Sequence, residues 1–518
     1  MHLPSHTLLP CLRRIWPLLA LPLLGACGAA PTVAERPDSL QLDPLRLANR
    51  ITWGANSAVL RQIETLGSSA YLQQQLHPDP KLRLPEPVQQ QIDLMRISQQ
   101  PLLQLAQQLQ QQHRAAQDLH DAAERKAALK AYQQDLDRLG REAASRSLLR
   151  ALYSPNQLEA QMTWFWGNHF SVYQHKHQLR ALLGDYEEQL RSHALGRFRD
   201  LLGVSAHHPA MLLYLDNQQN SAGHINENYA RELLELHTLG VDGGYSQRDV
   251  QELARILTGV GVNAGGKPRA NARVERDSYP QQPLFEFHPQ RHDHGSKQLL
   301  GQTIDANGLA ELDQALDLLA RHPATARFIC RKLARYFTGN EPSGVLLAEM
   351  SKTFSASDGR IDATLQTLFH SREFAASLGQ QFKDPLHYVL SAVRLAYDDK
   401  AILNTAPLGN WLNRMGEPLY GRQTPDGYPL DPAAWISPGQ MSTRFEIARA
   451  IGSGSAGLFR SEQMPAMEKP AFPQLANGVY YNYWQRTLAP ATLQALQQAQ
   501  SPQEWNTLLL AAPEFMYR

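Results

Sequence analysis

Cysteine is nearly absent: the 518 residues hold three, Cys11, Cys27 and Cys330. Two of them sit in or beside the N-terminal apolar segment, which leaves Cys330 alone in the body of the chain. No intrachain disulfide is then available even in an oxidising compartment, and stability has to come from a core. Charge of one sign is also lacking. Lys and Arg number 50 against 49 Asp and Glu, a net of +1, and without a basic footprint an electrostatic nucleic-acid binder is excluded. Past the N-terminus no run is long and apolar enough to cross a bilayer. There is no Gly-x-Ser-x-Gly elbow, no phosphate-binding glycine loop and no paired-cysteine metal motif, which demotes a serine hydrolase and a nucleotide-dependent enzyme. The stretch Gly452-Ser453-Gly454-Ser455 lacks the flanking strand that a nucleotide loop needs. What remains, 19% charged and 43% hydrophobic residues, suits a globular chain with a sizeable core.

The first residues carry a targeting pattern. Arg13 and Arg14 precede an apolar stretch from Ile15 to Leu24, followed by Leu24-Gly25-Ala26-Cys27. This is the layout of a secretory signal with a lipobox, so residues 1–26 are expected to be removed and Cys27 to carry a lipid, in place of an ordinary signal peptide with an incidental cysteine. The general secretory route fits better than twin-arginine export, because Leu12 and Pro17 are poor matches to the latter. The small, polar, Pro-containing residues 27–44 read as a tether. The expected location is the bacterial cell envelope, on the extracytoplasmic side, held to the membrane through the lipid on Cys27.

From Leu45 onward the pattern is mainly α, with at most a small β-hairpin and long loops. Asn56 or Ser57 is placed to cap a helix that Gly67 closes, and Ser68 or Ser69 opens the next. Residues 86–152 are rich in Gln with apolar positions at helical spacing (Leu94, Ile97, Leu102, Leu105, Leu109) and a break at Pro101. An exposed helical hairpin is expected there; a coiled-coil partner surface is the alternative, though heptads are not sustained. Strand candidates lie near Leu284–Phe287 and Lys297–Leu300, pairing as one hairpin. Helices are expected over Leu309–Leu319, Ala324–Phe337, Leu346–Phe354 and Ile361–Phe369, and a long loop rich in Pro, Gly and aromatics over Ala406–Pro438.

The segment Asn226-Glu227-Asn228-Tyr229-Ala230-Arg231-Glu232-Leu233-Leu234-Glu235-Leu236-His237-Thr238-Leu239-Gly240 resembles the bacterial family known as domain of unknown function 1800. Other blocks agree in order: Asn49-Arg50-Ile51-Thr52-Trp53-Gly54, Trp164-Phe165-Trp166-Gly167-Asn168-His169-Phe170, Leu215-Asp216-Asn217 with Asn220, Tyr245 to Val250, His292-Asp293-His294-Gly295-Ser296-Lys297, and Pro513-Glu514-Phe515. The resemblance covers residues 45–518, which implies one family-wide, predominantly helical domain of a commonly exported protein with no established activity, often encoded beside another exported family. The Gln-rich 86–152 stretch looks like an elaboration upon it.

Chemistry concentrates in two blocks. On a regular helix, at about 100° per residue, Asn228, Arg231, Glu232 and Glu235 share a stripe while His237 falls on the opposite, apolar side. A zinc peptidase site of the two-histidine helical type is therefore not formed, and His237 reads as structural. The polar stripe either contains an internal Arg231–Glu235 ion pair or serves a site in which Glu232 and Glu235 act as acid and base and Arg231, with Asn228, orients an anionic group. Asp216, Asn217, Asn220 and Asn226 are oxygen ligands of the type a hard cation takes, so Asp216, Asn220, Glu232 and His292 are candidate ligands for a divalent metal; turn and cap roles compete for the same residues. His288, His292, Asp293, His294 and Lys297 form the second block, suited to a transition metal or to anion recognition by Lys297. His292 and Asp293 join the catalytic candidates; Lys297 and His169, beside its tryptophans, join the substrate-binding ones. Two functions follow as expectations: an envelope hydrolase using these blocks, with a divalent cation as a candidate cofactor, or a non-catalytic scaffold or maturation partner of another exported protein, its contact surface the Pro/Gly/aromatic loop.

Overall fold

Capping chemistry sets the helix boundaries one after another. Asn56 accepts the Val59 amide at 3.0 Å and starts the helix Ser57–Leu66, and Gly67 at φ +80 separates it from Ser68–Leu76. In the computed structural model, which describes residues 42–263, 283–398, 400–460 and 472–518, the protein is mainly α. Cys27 and the signal and tether residues up to 41 lie outside the described residues. Among the described residues no helix is long and apolar enough to cross a membrane.

The Gln-rich region forms Leu102–Gln117 and the 32-residue Ala122–Tyr153, packed on each other with Leu105, Leu109, Tyr132, Leu136 and Leu139 buried between them. The far end of the long helix enters the main core beside Gln157–His169 and Leu183–Ser192. Helices Ala310–Arg321, Pro323–Thr338, Gly344–Ala356 and Ile361–Phe369 occur where the periodicity places them. Two expectations need correction. The strand candidates do not pair with each other: Phe285–Phe287 pairs antiparallel with Val260–Val262, and Lys297–Leu299 with Gln302–Ile304. The Ala406–Pro438 stretch is not loop throughout, because Pro407 at a helix N-terminus starts Ala406–Arg414, and only the remainder is irregular apart from the short turn of helix Pro432–Trp435.

Buried guanidinium groups join distant parts of the chain. Arg50 is fully buried and donates to Ser377 Oγ at 2.8 Å, the Ser377 carbonyl at 2.7 Å, the Arg518 carbonyl at 2.6 Å and the Phe337 carbonyl. Arg394 donates to the carbonyls of Gly54, at 2.8 Å, and Leu152. Gly54 itself has φ +128, and a Cβ there would stand 2.5 Å from Ser391 Cβ, so only glycine permits this approach. A second buried network centres on His387, whose Nδ1 faces Asp384 Oδ2 at 2.7 Å while Arg518 donates to Nε2 at 2.6 Å. Burial and Arg518 lower His387 to about 4, so it is a neutral spacer between a carboxylate and a guanidinium. With both ring nitrogens engaged, this pair has no free acceptor with which to activate a nucleophile.

Candidate functional site

The motif helix departs from the regular geometry assumed for it. Asn228–Glu232 is α-helical, but Leu233–Thr238 is π-helical, and Gly240 at φ +83 ends it. The wider turn shifts later side chains, and π turns commonly mark functional or constrained positions. The Arg231–Glu235 pair does not form. Arg231 instead contacts Glu227 at 3.0 Å and Gln247 at 2.9 Å, and Glu235 accepts from Tyr245 Oη at 3.3 Å. Asn228 is exposed, and Arg231, Glu232 and Glu235 are half-buried. Burial, with Glu235 and Asp426 nearby, raises Glu232 against the pull of Arg231.

On the inner side of the same turn, His237 is fully buried with no hydrogen-bond partner on either ring nitrogen, and burial and Lys332 lower it to about 3. His169, also buried, accepts from Lys332 Nζ at Nδ1 (2.8 Å), so its Nε2–H points to the His237 carbonyl at 3.1 Å. Burial brings Lys332 down to about 8, with Asp426 opposing the shift. His169 therefore lies inside the packing between helices, engaged on both nitrogens.

The His-Asp-Lys block is an ion cage. Lys297 is 1% exposed; its ammonium meets Glu311 at 2.6 Å and donates to the carbonyls of Asp293 and Gly295. His292 Nε2 stands 3.3 Å from the same Glu311 oxygen without the alignment of a hydrogen bond, and its Nδ1 faces the Thr258 carbonyl at 2.8 Å. Asp293 takes a two-point contact from Arg255 at 2.9 and 3.1 Å, and this guanidinium holds its carboxyl at about 2. His294 is exposed and contacts the Pro289 carbonyl, while His288 faces Glu286 at 3.5 Å. None of the hydrogen bonds or ion pairs described joins this cage to Glu232 or Glu235.

The Asx residues stitch turns. Asp216, at φ +58, pairs with Lys176 at 2.8 Å; Asn217 donates to the Leu257 and Val260 carbonyls; Asn220 donates to the Ala254 carbonyl and accepts the Asn226 amide; Asn226 accepts the Asn228 amide in an Asx turn; Asn228 donates to the Leu215 carbonyl. Among the described residues no group of three or more His, Cys, Asp or Glu side chains is placed to hold a metal.

A concave surface lined by several ionisable groups lies elsewhere. A cleft of about 320 Å³ runs between the C-terminal part of Ala122–Tyr153, the outer face of Gln157–His169, Leu183–Ser192 and the Pro78–Gln89 segment. Arg150, Glu159, Glu187 and Arg191 line it, with Trp53 and Trp164 as its aromatic wall. Trp164 is held edge-on by Trp53 at 6.2 Å and stacked on Tyr336 at 5.8 Å. Arg191 binds Glu159 at 3.1 Å and Glu188 at 2.5 Å, and Arg150 binds the other Glu188 oxygen at 2.6 Å. The three acids are driven apart. Burial alone would raise Glu188, but Arg150 and Arg191 overcome it and hold it at about 2. Burial raises Glu159 in spite of Arg191, and raises Glu187 in spite of Arg146 and Arg150.

The irregular stretch after Arg414 closes this cleft, and the sequence motifs hold that stretch in place. Asn168 clamps it, donating to the Tyr428 carbonyl at 3.0 Å and accepting the Tyr428 amide at 2.6 Å. Gly427, at φ +75, passes so near that a Cβ would lie 2.2 Å from the Asn168 carbonyl oxygen. Tyr214 donates to the Gln423 carbonyl at 2.8 Å, and Asp426 is secured by Arg422 at 2.8 Å and by Thr424. So held, Tyr420 adopts φ +56, a conformation costing roughly 1–2 kcal/mol for a non-glycine residue, and its hydroxyl donates to Glu187. Strain at such a position is a pointer to function.

Glu159, Glu187, Glu188, Arg150, Arg191, Glu417 and Tyr420 were not singled out from the sequence. The available signals were the acidic Asp185-Tyr186-Glu187-Glu188 run, the tryptophan block facing it, and an irregular stretch too long for a plain connection.

A helical protein whose blocks of distinctive sequence buttress an acid–arginine cleft is the class that fold and site define. The chain belongs to the family described as Protein of unknown function (DUF1800), which it matches over residues 46–517. No curated protein and no solved structure matches it.

Proposed function

We propose that the protein is an envelope hydrolase whose active centre is the acid–arginine cleft. The observation that carries this is the separation of neighbouring carboxyl groups by their surroundings: burial raises Glu187, two arginines keep Glu188 ionised, and burial raises Glu159 beside them. Pairs of titratable groups pushed apart in this way define acid and base assignments. Glu159 takes a proton from water as the water oxygen bonds to the electrophilic carbon. The bond from that carbon to the leaving oxygen or nitrogen breaks, and Glu187 gives its proton to the leaving atom. Arg150 and Arg191, oriented by Glu188, stabilise negative charge as it develops. In this reading Glu232 faces Asp426 of the Tyr420–Tyr428 segment, Glu235, Arg231 and Asn228 brace the motif helix against Tyr245, Glu227, Gln247 and Leu215, and His292, Asp293 and Lys297 are architecture.

Residues 1–26 are a lipoprotein signal in the same proposal, with Cys27 lipidated and the cleft presented to envelope polymers. Cys27→Ser moves such a protein from the membrane to the soluble fraction; retention on the membrane would sink the lipid anchor. The catalytic reading is tested on purified peptidoglycan sacculi and on chromogenic glycosides and esters. Wild type releases product, and Glu187→Gln and Glu159→Gln each lose at least about 100-fold in turnover with unchanged thermal stability. Full turnover in both variants, or no release by wild type, overturns it.

A second reading, docking of another exported protein, is favoured by Ile436 and Phe445, which are 56% and 49% exposed beside the same irregular stretch. It predicts complex formation that Phe445→Asp abolishes and Glu187→Gln leaves intact.

A further inference from the structure

Beneath the cleft lies a smaller cavity of about 50 Å³. It is an inward extension of the cleft, sharing Thr163, Trp164, Glu187 and Leu419 with it. Val172, Leu190 and Leu419 make its walls largely apolar. Asn168, Glu187, Arg422 and several hydroxyl side chains add polar atoms to the lining, and the deepest of the polar groups is Glu417, which is 1% exposed. Its Oε2 accepts the Leu386 amide at 2.9 Å, but Oε1 has no partner. Leaving a buried polar atom unmet costs about 1–3 kcal/mol, and native folds satisfy such atoms unless a ligand or function does so. Burial and the nearby Asp384 carboxylate raise this carboxyl well above the usual range, which favours the protonated form, and in that form the unmet oxygen is placed to donate. A donor in a small apolar chamber calls for a neutral carbonyl beside an apolar group. Far smaller than the cleft above it, the space suits a short acyl group better than a sugar ring.

We propose that this cavity is a subsite for the acetamido group of an N-acetylated sugar chain, with Glu417 donating to the amide carbonyl and the methyl group among Val172, Leu190 and Leu419. The inference rests on the reading of the cleft as the active centre and names its substrate class. The pyranose ring lies against Trp164, which lines both spaces, and Glu187 stands at their junction, where the glycosidic oxygen leaves. Two carboxyl groups flanking the scissile bond are the usual equipment of glycoside hydrolysis.

The test is calorimetric titration of the full chain, in detergent, with chitotetraose, its fully de-N-acetylated counterpart and an N-acetylated tripeptide. Chitotetraose is expected to bind at least tenfold more tightly than either of the others. Gly167→Val fills the cavity, since Gly167 lines it on a helix and a Cβ there meets nothing within 4 Å. It should abolish that tenfold preference with unchanged melting temperature. Glu417→Gln, whose amide also donates, should keep affinity within a few-fold. Equal binding of the two tetrasaccharides, tighter binding of the peptide, no binding at all, or a preference that survives Gly167→Val each overturns the subsite. The cleft stands or falls separately, on the turnover of Glu187→Gln.

Discussion

Replacing Lys297 by Met removes one ion from a cage that is buried away from solvent. Lys297 is 1% exposed and pairs with Glu311, itself 4% exposed, at 2.6 Å. The remaining carboxylate would keep only the 3.3 Å contact to His292. Breaking a buried pair by deleting one partner destabilises by about 3–5 kcal/mol, because the orphaned charge retains its desolvation penalty. At about 2.1 cal/mol/K per residue, a cooperative unit of this size loses about 1 °C per kcal/mol, so the melting temperature should fall by about 3–5 °C. Glu311→Leu should behave alike. The double variant Lys297→Met/Glu311→Leu removes both charges and should recover much of the loss, so the coupling in a double-mutant cycle should be at least one single loss, about 3–5 kcal/mol. Urea and thermal unfolding of the four proteins, followed by circular dichroism, supply the cycle. Single variants within about 0.5 kcal/mol of wild type, or losses that simply add, would refute the cage. A Lys297→Met protein of unchanged stability that has lost hydrolysis would return the block to the active centre.

His237→Phe should keep the fold and flatten the stability profile between pH 6.5 and 3. With a folded value of about 3 against an ordinary one near 6.5, the unfolded chain binds the proton first, so stability is present above pH 6.5 and lost as pH falls, by up to about 1.4 kcal/mol per pH unit. A variant with the wild-type slope over that window would contradict this. Gly427→Ala forces a Cβ against the Asn168 carbonyl at positive φ and should cost at least about 1–3 kcal/mol together with most turnover; an unchanged melting temperature would show the clamp to be slack. Glu232→Gln relieves repulsion from Glu235 and Asp426 and should raise stability slightly at pH 7, by under about 1 kcal/mol, with turnover kept within a few-fold; loss of turnover without loss of fold would make Glu232 catalytic instead.

Local rules acted through neighbours in the chain, and what they govern was legible without coordinates. Asn56, Gly67 and Pro101 bound their helices through hydrogen bonds and φ values a few residues away, and the helical class with its buried face follows from apolar spacing. The π turn at Leu233–Thr238 was not legible. It follows from how the turn packs against His169 and Phe170, contacts that span some seventy positions. The strand partners were misread for the same reason: Phe285–Phe287 finds Val260–Val262 across a gap that no alternation pattern bridges. Charge was hardest of all. Lys297, Glu187 and Glu232 look equally polar in a sequence, yet the first is sealed against Glu311, the second is raised by burial in the lining of a cleft, and the third is half-exposed on the motif helix. What an ionisable side chain does depends on its desolvation and on the sign of the charges facing it. Both are set by residues from remote segments, so family membership and helical class belong to the sequence, while the division between scaffold and site was decided only by tertiary structure.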